Sequence, residues 1–194
     1  MNLIKDLNEC TSFFGPGEVS KILNIENIKD TILYVLVPLE SLTLKNITKS
    51  YIWLGPAKRS VTIIDCTNTV FGVTCQQIRI HCCTNLKIWL SVTTSPLMED
   101  SKHITFDISS KDPNYYNLYS EHLTYSNLQS AHFLTCETFS VSDFNWLKAI
   151  PSPFWKLSTI KSKPYSIKIA STNEKTVEEG TVIMSQMSMW KIIL

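Results

Sequence analysis

The sequence predicts an all-β fold, a parallel β-helix, and three observations point to it. β-branched residues crowd the middle third of the chain, where no helical periodicity can be found. Written in rows of 17 or 18, that middle third aligns: residues 34–37, 51–54, 69–73, 86–90 and 103–106 fall under one another as short apolar segments. Further columns lie beside these rows, with Leu44, Val61 and Ile78 in one, Ile63, Ile80 and Leu97 in the next, and Cys66, Cys83 and Asp100 at one corner. A repeat this short, with several strand segments and no helix in it, suits coils stacked so that like side chains form ladders. An antiparallel sandwich also shows short strands at regular intervals and is the alternative architecture.

Taken in order, residues 1–31 carry Leu3-Ile4, Phe13-Phe14 and Ile22-Leu23 in polar surroundings around a Gly15-Pro-Gly17 breaker, which predicts an arm with one short helix. Residues 32–156 form the repeat domain. Within it, Asp112-Pro-Asn-Tyr-Tyr116 reads as a turn and residues 122–130 as a polar, weakly patterned stretch. Residues 157–194 are a C-terminal extension with two candidate strands, 165–170 and 181–184, suited to capping a solenoid end.

Composition narrows the function classes. The chain has 194 residues, 44% of them hydrophobic and 18% charged, with a formal charge of +1, so a globular domain is expected and no global field draws in nucleic acid or anionic lipid. The longest apolar run, residues 31–39, is interrupted by Pro38 and falls far short of the roughly 18 residues of a membrane span. The first residues show neither a signal peptide nor a glycine for myristoylation, and a cytoplasmic protein with six reduced cysteines is expected. Cys82 and Cys83 are adjacent, but no second pair stands at zinc-like spacing, so no metal centre is expected.

Familiar catalytic devices are missing: no phosphate-cradling glycine loop, no nucleophile elbow, no histidine pair at helical spacing. Cys75 and His81 lie too far apart along β positions for a thiolate–imidazole pair, and a buried, inert Cys75 is the better reading. The informative stretch is Thr74-Cys-Gln-Gln-Ile-Arg-Ile-His81. In a strand, Ile78 and Ile80 face the core together, so Gln77 and Arg79 face solvent together. Only two of the 18 basic residues are arginines, Arg59 and Arg79. A planar five-donor guanidinium suits phosphate or carboxylate as a lysine does not. An exposed arginine paired with a neighbouring carboxylate is the competing account of Arg79.

Several segments together resemble the C-terminal domain of the tubulin-binding cofactor C family. They are Leu54-Gly-Pro-Ala-Lys-Arg-Ser-Val-Thr-Ile-Ile-Asp-Cys-Thr-Asn68, Cys75-Gln-Gln-Ile-Arg-Ile-His81, Ser95-Pro-Leu-Met-Glu-Asp100, Ile104-Thr-Phe106, Val141-Ser-Asp-Phe-Asn-Trp-Leu147 and Ser152-Pro-Phe-Trp155. The resemblance covers roughly residues 42–156 and implies a right-handed parallel β-helix of the C-CAP type. It further implies a GTPase activator, working with cofactors D and E on β-tubulin or, as in a sister branch, on an Arf-like GTPase. By the same resemblance Arg79 is the arginine finger, Gln76 and Gln77 are its polar flanks, and Glu99 is the carboxylate that orients the guanidinium. Phe144, with Asp143 before it, matches the partner-binding aromatic of that face. GTP and Mg²⁺ would belong to the partner, so the chain itself needs no cofactor, and its place would be cytoplasmic and cytoskeletal. A non-catalytic cytoskeletal binding module of the same fold is the alternative.

Overall fold

The computed structural model describes residues 1–108 and 119–158, together with the backbone of three strand segments, 167–170, 182–185 and 191–192. The chain climbs through successive coils. Eleven strands follow one another: β1 (Leu3–Asn8), β2 (Thr11–Phe14), β3 (Ile22–Lys29), β4 (Ile32–Val35), β5 (Leu39–Thr48), β6 (Tyr51–Leu54), β7 (Ala57–Ile64), β8 (Thr67–His81), β9 (Thr84–Val92), β10 (Leu97–Glu99) and β11 (Lys102–Asp107). A helix, α1 (Tyr119–Tyr125), and two short strands, β12 (Ser142–Asp143) and β13 (Trp155–Leu157), complete the body.

Every pairing among β1–β13 is parallel, and the order is that of a solenoid. One ladder runs β1-β3-β5-β7-β8-β10-β12 and the other β2-β4-β6-β8-β9-β11-β13. The 15-residue β8 belongs to both, its first half pairing with β6 and β9 and its second half with β7 and β10. The fold is therefore the parallel β-helix, and the sandwich alternative falls.

Burial explains why these residues form strands. Ile4, Ile25, Leu44, Ile63, Ile80 and Met98 pair rung to rung and are all at most 3% exposed, one apolar column through six coils. Leu33, Ile52, Phe71, Ile88 and Phe106 make the equivalent column on the second ladder. Each such side chain removes its apolar area from water between the rung below and the rung above, worth about 1.5–3 kcal/mol apiece.

The corner between the ladders accounts for the scarcity of glycine. Each coil turns it with two left-handed residues three apart: Asp6 and Glu9, Asn27 and Asp30, Asn46 and Lys49, Asp65 and Asn68, Cys82 and Asn85, Asp100 and His103, with φ between 47° and 58°. Asn and Asp tolerate this region better than other residues with a Cβ, so they do here what glycine does elsewhere. Their amides also stack across rungs: Asn46 Nδ2 donates to Asn27 Oδ1 at 2.8 Å, and Asn27 Nδ2 to Asp6 Oδ1 at 2.9 Å. Gly72 is needed for a different reason. It lies between Trp53 and Trp89 on neighbouring rungs, whose rings stack at 4.7 Å, and a Cβ there would run into the Trp53 ring.

Three expectations are corrected. The short helix expected within residues 1–31 is replaced by β1, β2 and β3, because Ile4, Leu23, Ile25 and Ile28 alternate inward. Leu44 stacks on Ile63, two residues beyond Val61, and Leu97 stands beside Arg79, not in the Ile80 column. The third corner member is Ser101, whose Oγ accepts from the Cys83 amide at 2.9 Å; Asp100 is the left-handed residue before it.

Residues 119–125, partly within the stretch read as weakly patterned, form α1, pinned to the solenoid by a 2.5 Å hydrogen bond between Tyr119 Oη and Thr74 Oγ1. The turn at 112–116 lies outside the described residues. The two expected C-terminal strands appear as β14 (Ile167–Ala170) and β15 (Val182–Ser185), which with β16 (Lys191–Ile192) form a separate three-stranded sheet. All described cysteines are free thiols, with Cys66, Cys75 and Cys83 buried.

Candidate functional site

The second half of β8 alternates as its sequence requires: Ile78 and Ile80 are buried, and Gln77 and Arg79 are exposed on the opposite face. Gln76 is exposed too, because the strand turns between ladders there. Lys58 and Arg59 of β7 lie in a register break opposite it, between the Ala57–Cys75 and Ser60–Gln77 pairs. The Gln76 carbonyl accepts hydrogen bonds from the Thr93 and Thr94 hydroxyls at 3.1 and 2.9 Å, which ties this bend to the next coil.

Arg79 is flanked across the ladder by Thr62 below and Leu97 above, neither of them acidic. Among the described residues its guanidinium makes no ion pair and no hydrogen bond. The other arginine behaves differently: Arg59 Nη2 lies 3.0 Å from Glu40 Oε1. The competing account, an arginine occupied by a carboxylate, thus describes Arg59 and not Arg79.

Glu99 is exposed on the same face but stands opposite His81. It is not in contact with Arg79. One rung across and two residues along separates their Cα atoms by about 8 Å, a diagonal that two long side chains can close. The Phe144 amide donates to the Met98 carbonyl at 2.9 Å, one residue past the Met98–Asp143 pair, which puts Phe144 next to Glu99. Phe144 is 56% exposed. Asp143 is differently engaged: its Oδ2 accepts from Ser152 Oγ at 2.6 Å and its Oδ1 from the Asn145 amide at 3.1 Å. It shapes the loop that carries Phe144.

The face therefore assembles Gln77, Arg79, Glu99 and Phe144 from three successive rungs, on a stiff backbone whose opposite side is packed core. Thr62 and Leu97, the immediate neighbours of Arg79, escaped sequence reading because they depend on register, which a fixed row length does not supply. Cys75 is fully buried, and desolvation pushes its thiol far up, so it is inert as expected. No helix among the described residues is long and apolar enough to cross a membrane.

Comparison with known proteins agrees with this architecture. The family model described as tubulin binding cofactor C matches residues 20–144. The tubulin-folding cofactor C of Arabidopsis thaliana is 32% identical over 117 residues, 60% of this chain and 32% of that protein. The tubulin-specific chaperone C of Dictyostelium discoideum is 28% identical over 158 residues, 70% of this chain and 36% of that protein. The chain thus spans about a third of the length of these curated relatives. Among solved structures, the tubulin binding cofactor C of Leishmania major superposes with a TM-score of 0.53 at 22% identity, covering 76% of this chain and 88% of that one, a likeness of fold. With its β-helix, its outward arginine and a family match over well over half its length, the chain belongs to the tubulin binding cofactor C family.

Proposed function

We propose that this domain serves tubulin folding as a GTPase activator that presents Arg79 to GTP held by tubulin. The observation that supports it most is the exposed Arg79 guanidinium, held on a rigid rung with no acidic partner among the described residues, while Arg59 on the preceding rung is paired with Glu40. The names of the relatives, folding cofactor and tubulin-specific chaperone, support the choice of partner.

Phosphoryl transfer asks for positioning and charge stabilisation more than for covalent chemistry, and an arginine supplied in trans contributes about 10³–10⁵ in rate. The partner brings the nucleotide, Mg²⁺ and attacking water. This chain brings a delocalised cation whose backbone does not move as it enters. Gln76 and Gln77 offer amides to the partner's nucleotide-binding loops, Glu99 swings along the diagonal to steady the guanidinium once it is engaged, and Phe144 adds an apolar contact beside it. On this reading the protein works in the cytoplasm, with cofactors D and E presenting the tubulin.

The test is single-turnover GTP hydrolysis by tubulin with cofactors D and E. Arg79→Ala should abolish stimulation and change folding stability by no more than about 0.5 kcal/mol, since the side chain lies outside the core. Arg79→Lys should fail as well, because an ammonium lacks the forked geometry. A lysine variant as active as wild type would sink the mechanism. Stimulation of an Arf-like GTPase but not tubulin would replace the partner, and tight binding to tubulin without stimulation would leave a non-catalytic module.

A further inference from the structure

The left-handed column at the outer corner runs Asp6, Asn27, Asn46, Asp65, Cys82, Asp100. Five of its six members are Asx residues, whose side chains suit this backbone; Cys82, at φ 53°, has no such fit. In the companion column Glu9, Lys49 and His103 take the same left-handed conformation, so the backbone alone gives no reason for a thiol here.

Its surroundings provide one. Cys82 Sγ lies 3.5 Å from His81 Nε2, and His81 Nε2 lies 3.7 Å from Asp100 Oδ2 on the next rung. All three donor atoms fall within 4.8 Å of one another. A tetrahedral zinc ion with its usual bond lengths separates a nitrogen and a sulfur ligand by about 3.6 Å, and a nitrogen and an oxygen ligand by about 3.3 Å. The two spacings from His81 Nε2 sit within a few tenths of an ångström of these, while the sulfur and the carboxylate oxygen lie within 4.8 Å of each other, a gap that rotation of the exposed Cys82 side chain can narrow.

We infer that His81 Nε2, Cys82 Sγ and Asp100 Oδ2 form a zinc site, with water in the fourth position.

The Asp100 carboxylate is already held from behind by Asn145. Asn145 Nδ2 donates to Asp100 Oδ1 at 2.8 Å, and the Asp100 amide donates to Asn145 Oδ1 at 2.6 Å, a reciprocal clamp that leaves Oδ2 turned to His81. Thiolate and imidazole select zinc over calcium or magnesium, which prefer all-oxygen sites. The carboxylates of Asp100 and Asp65 stand at this corner and favour a dication, and on binding the thiol proton leaves to solvent as the Zn–S bond forms. The spacing along the chain hides the site, because its third ligand comes from the next coil. It stands independently of the role of Arg79.

The experiment is titration of the full chain with zinc chloride by calorimetry, and with cobalt chloride as a spectroscopic probe. One ion should bind per chain, with a thiolate-to-cobalt charge-transfer band in the near ultraviolet. Asn145→Ala should weaken zinc about tenfold, as outer-shell losses do, and Cys82→Asn by roughly a hundredfold or more, a whole ligand counting for more than an outer contact. Cys82→Asn should also lose the cobalt band and melt no lower than apo wild type, since asparagine fits the left-handed corner. Cys136→Ser, which removes the other exposed thiol, should change nothing. Failure of zinc to bind, or equal affinity in wild type and Cys82→Asn, overturns the site.

Discussion

Arg79 stands directly opposite Leu97 on the next rung, while Glu99, two residues further along, stands opposite His81. Among the described residues, an apolar cross-rung partner leaves the guanidinium unclaimed. A carboxylate at the same position would hold it. Leu97→Glu should therefore form a cross-strand ion pair with Arg79, worth about 0.2–1 kcal/mol. On the proposed mechanism that pair must break before the guanidinium reaches a partner, so GTPase stimulation should fall about 1.4- to fivefold at low salt, each 1.4 kcal/mol being tenfold. It should recover as salt screens the pair. Leu97→Gln, measured in parallel, should behave as wild type.

The left-handed corner makes a prediction about Asn46, at φ 54° with an amide bonded to Asn27. Asn46→Ala loses both the conformational fit and the hydrogen bond and should cost about 1–2 kcal/mol. Asn46→Gly loses only the bond and should cost less. Urea midpoints of the two variants separate the contributions, and equal losses would mean that the backbone at this corner is unstrained.

Gly72 separates two tryptophans in a stack. Gly72→Ala pushes a methyl group into the Trp53 ring, and overpacking of this kind costs about 1–3 kcal/mol. Near-ultraviolet circular dichroism, sensitive to the coupled indoles, should lose intensity along with the fall in stability. An unchanged spectrum would show that the rings are held by something other than the gap between them.

His122 on α1 is 5% exposed, and desolvation lowers its affinity for a proton, with Glu121 opposing weakly. The folded state thus binds fewer protons than the unfolded one below the ordinary value of 6.5. Its contribution to stability is full above pH 6.5 and is lost as the pH falls from there towards the lowered folded value. Denaturation midpoints of wild type should drop between pH 7 and 5 more steeply than those of His122→Gln; parallel curves would exclude His122 as the source.

Much of the site could be read along the chain. The outward pairing of Gln77 with Arg79 follows from Ile78 and Ile80, because in a strand the period of two leaves no other choice. The columns were less legible. Ile4, Ile25, Leu44, Ile63, Ile80 and Met98 are separated by 21, 19, 19, 17 and 18 residues, so rows of fixed length slip by up to four positions at the first coils. This is why Leu44 aligned with Val61 in the sequence and why the strands of residues 1–31 passed for an arm with a helix. The clamp on Asp143 and the corner that gathers His81, Cys82 and Asp100 depend on loops and register and left no mark in spacing.

By itself, then, the amino-acid order determined that strands would coil around an apolar interior, and that one arginine would face outward beside a glutamine. These are local consequences of alternation and of which side chains water rejects. Which residue neighbours that arginine, whether a carboxylate occupies it, and which side chains from different coils meet at the corner were decided only by the folded stack. Coil length varies by a few residues, and each variation shifts which side chains share a rung.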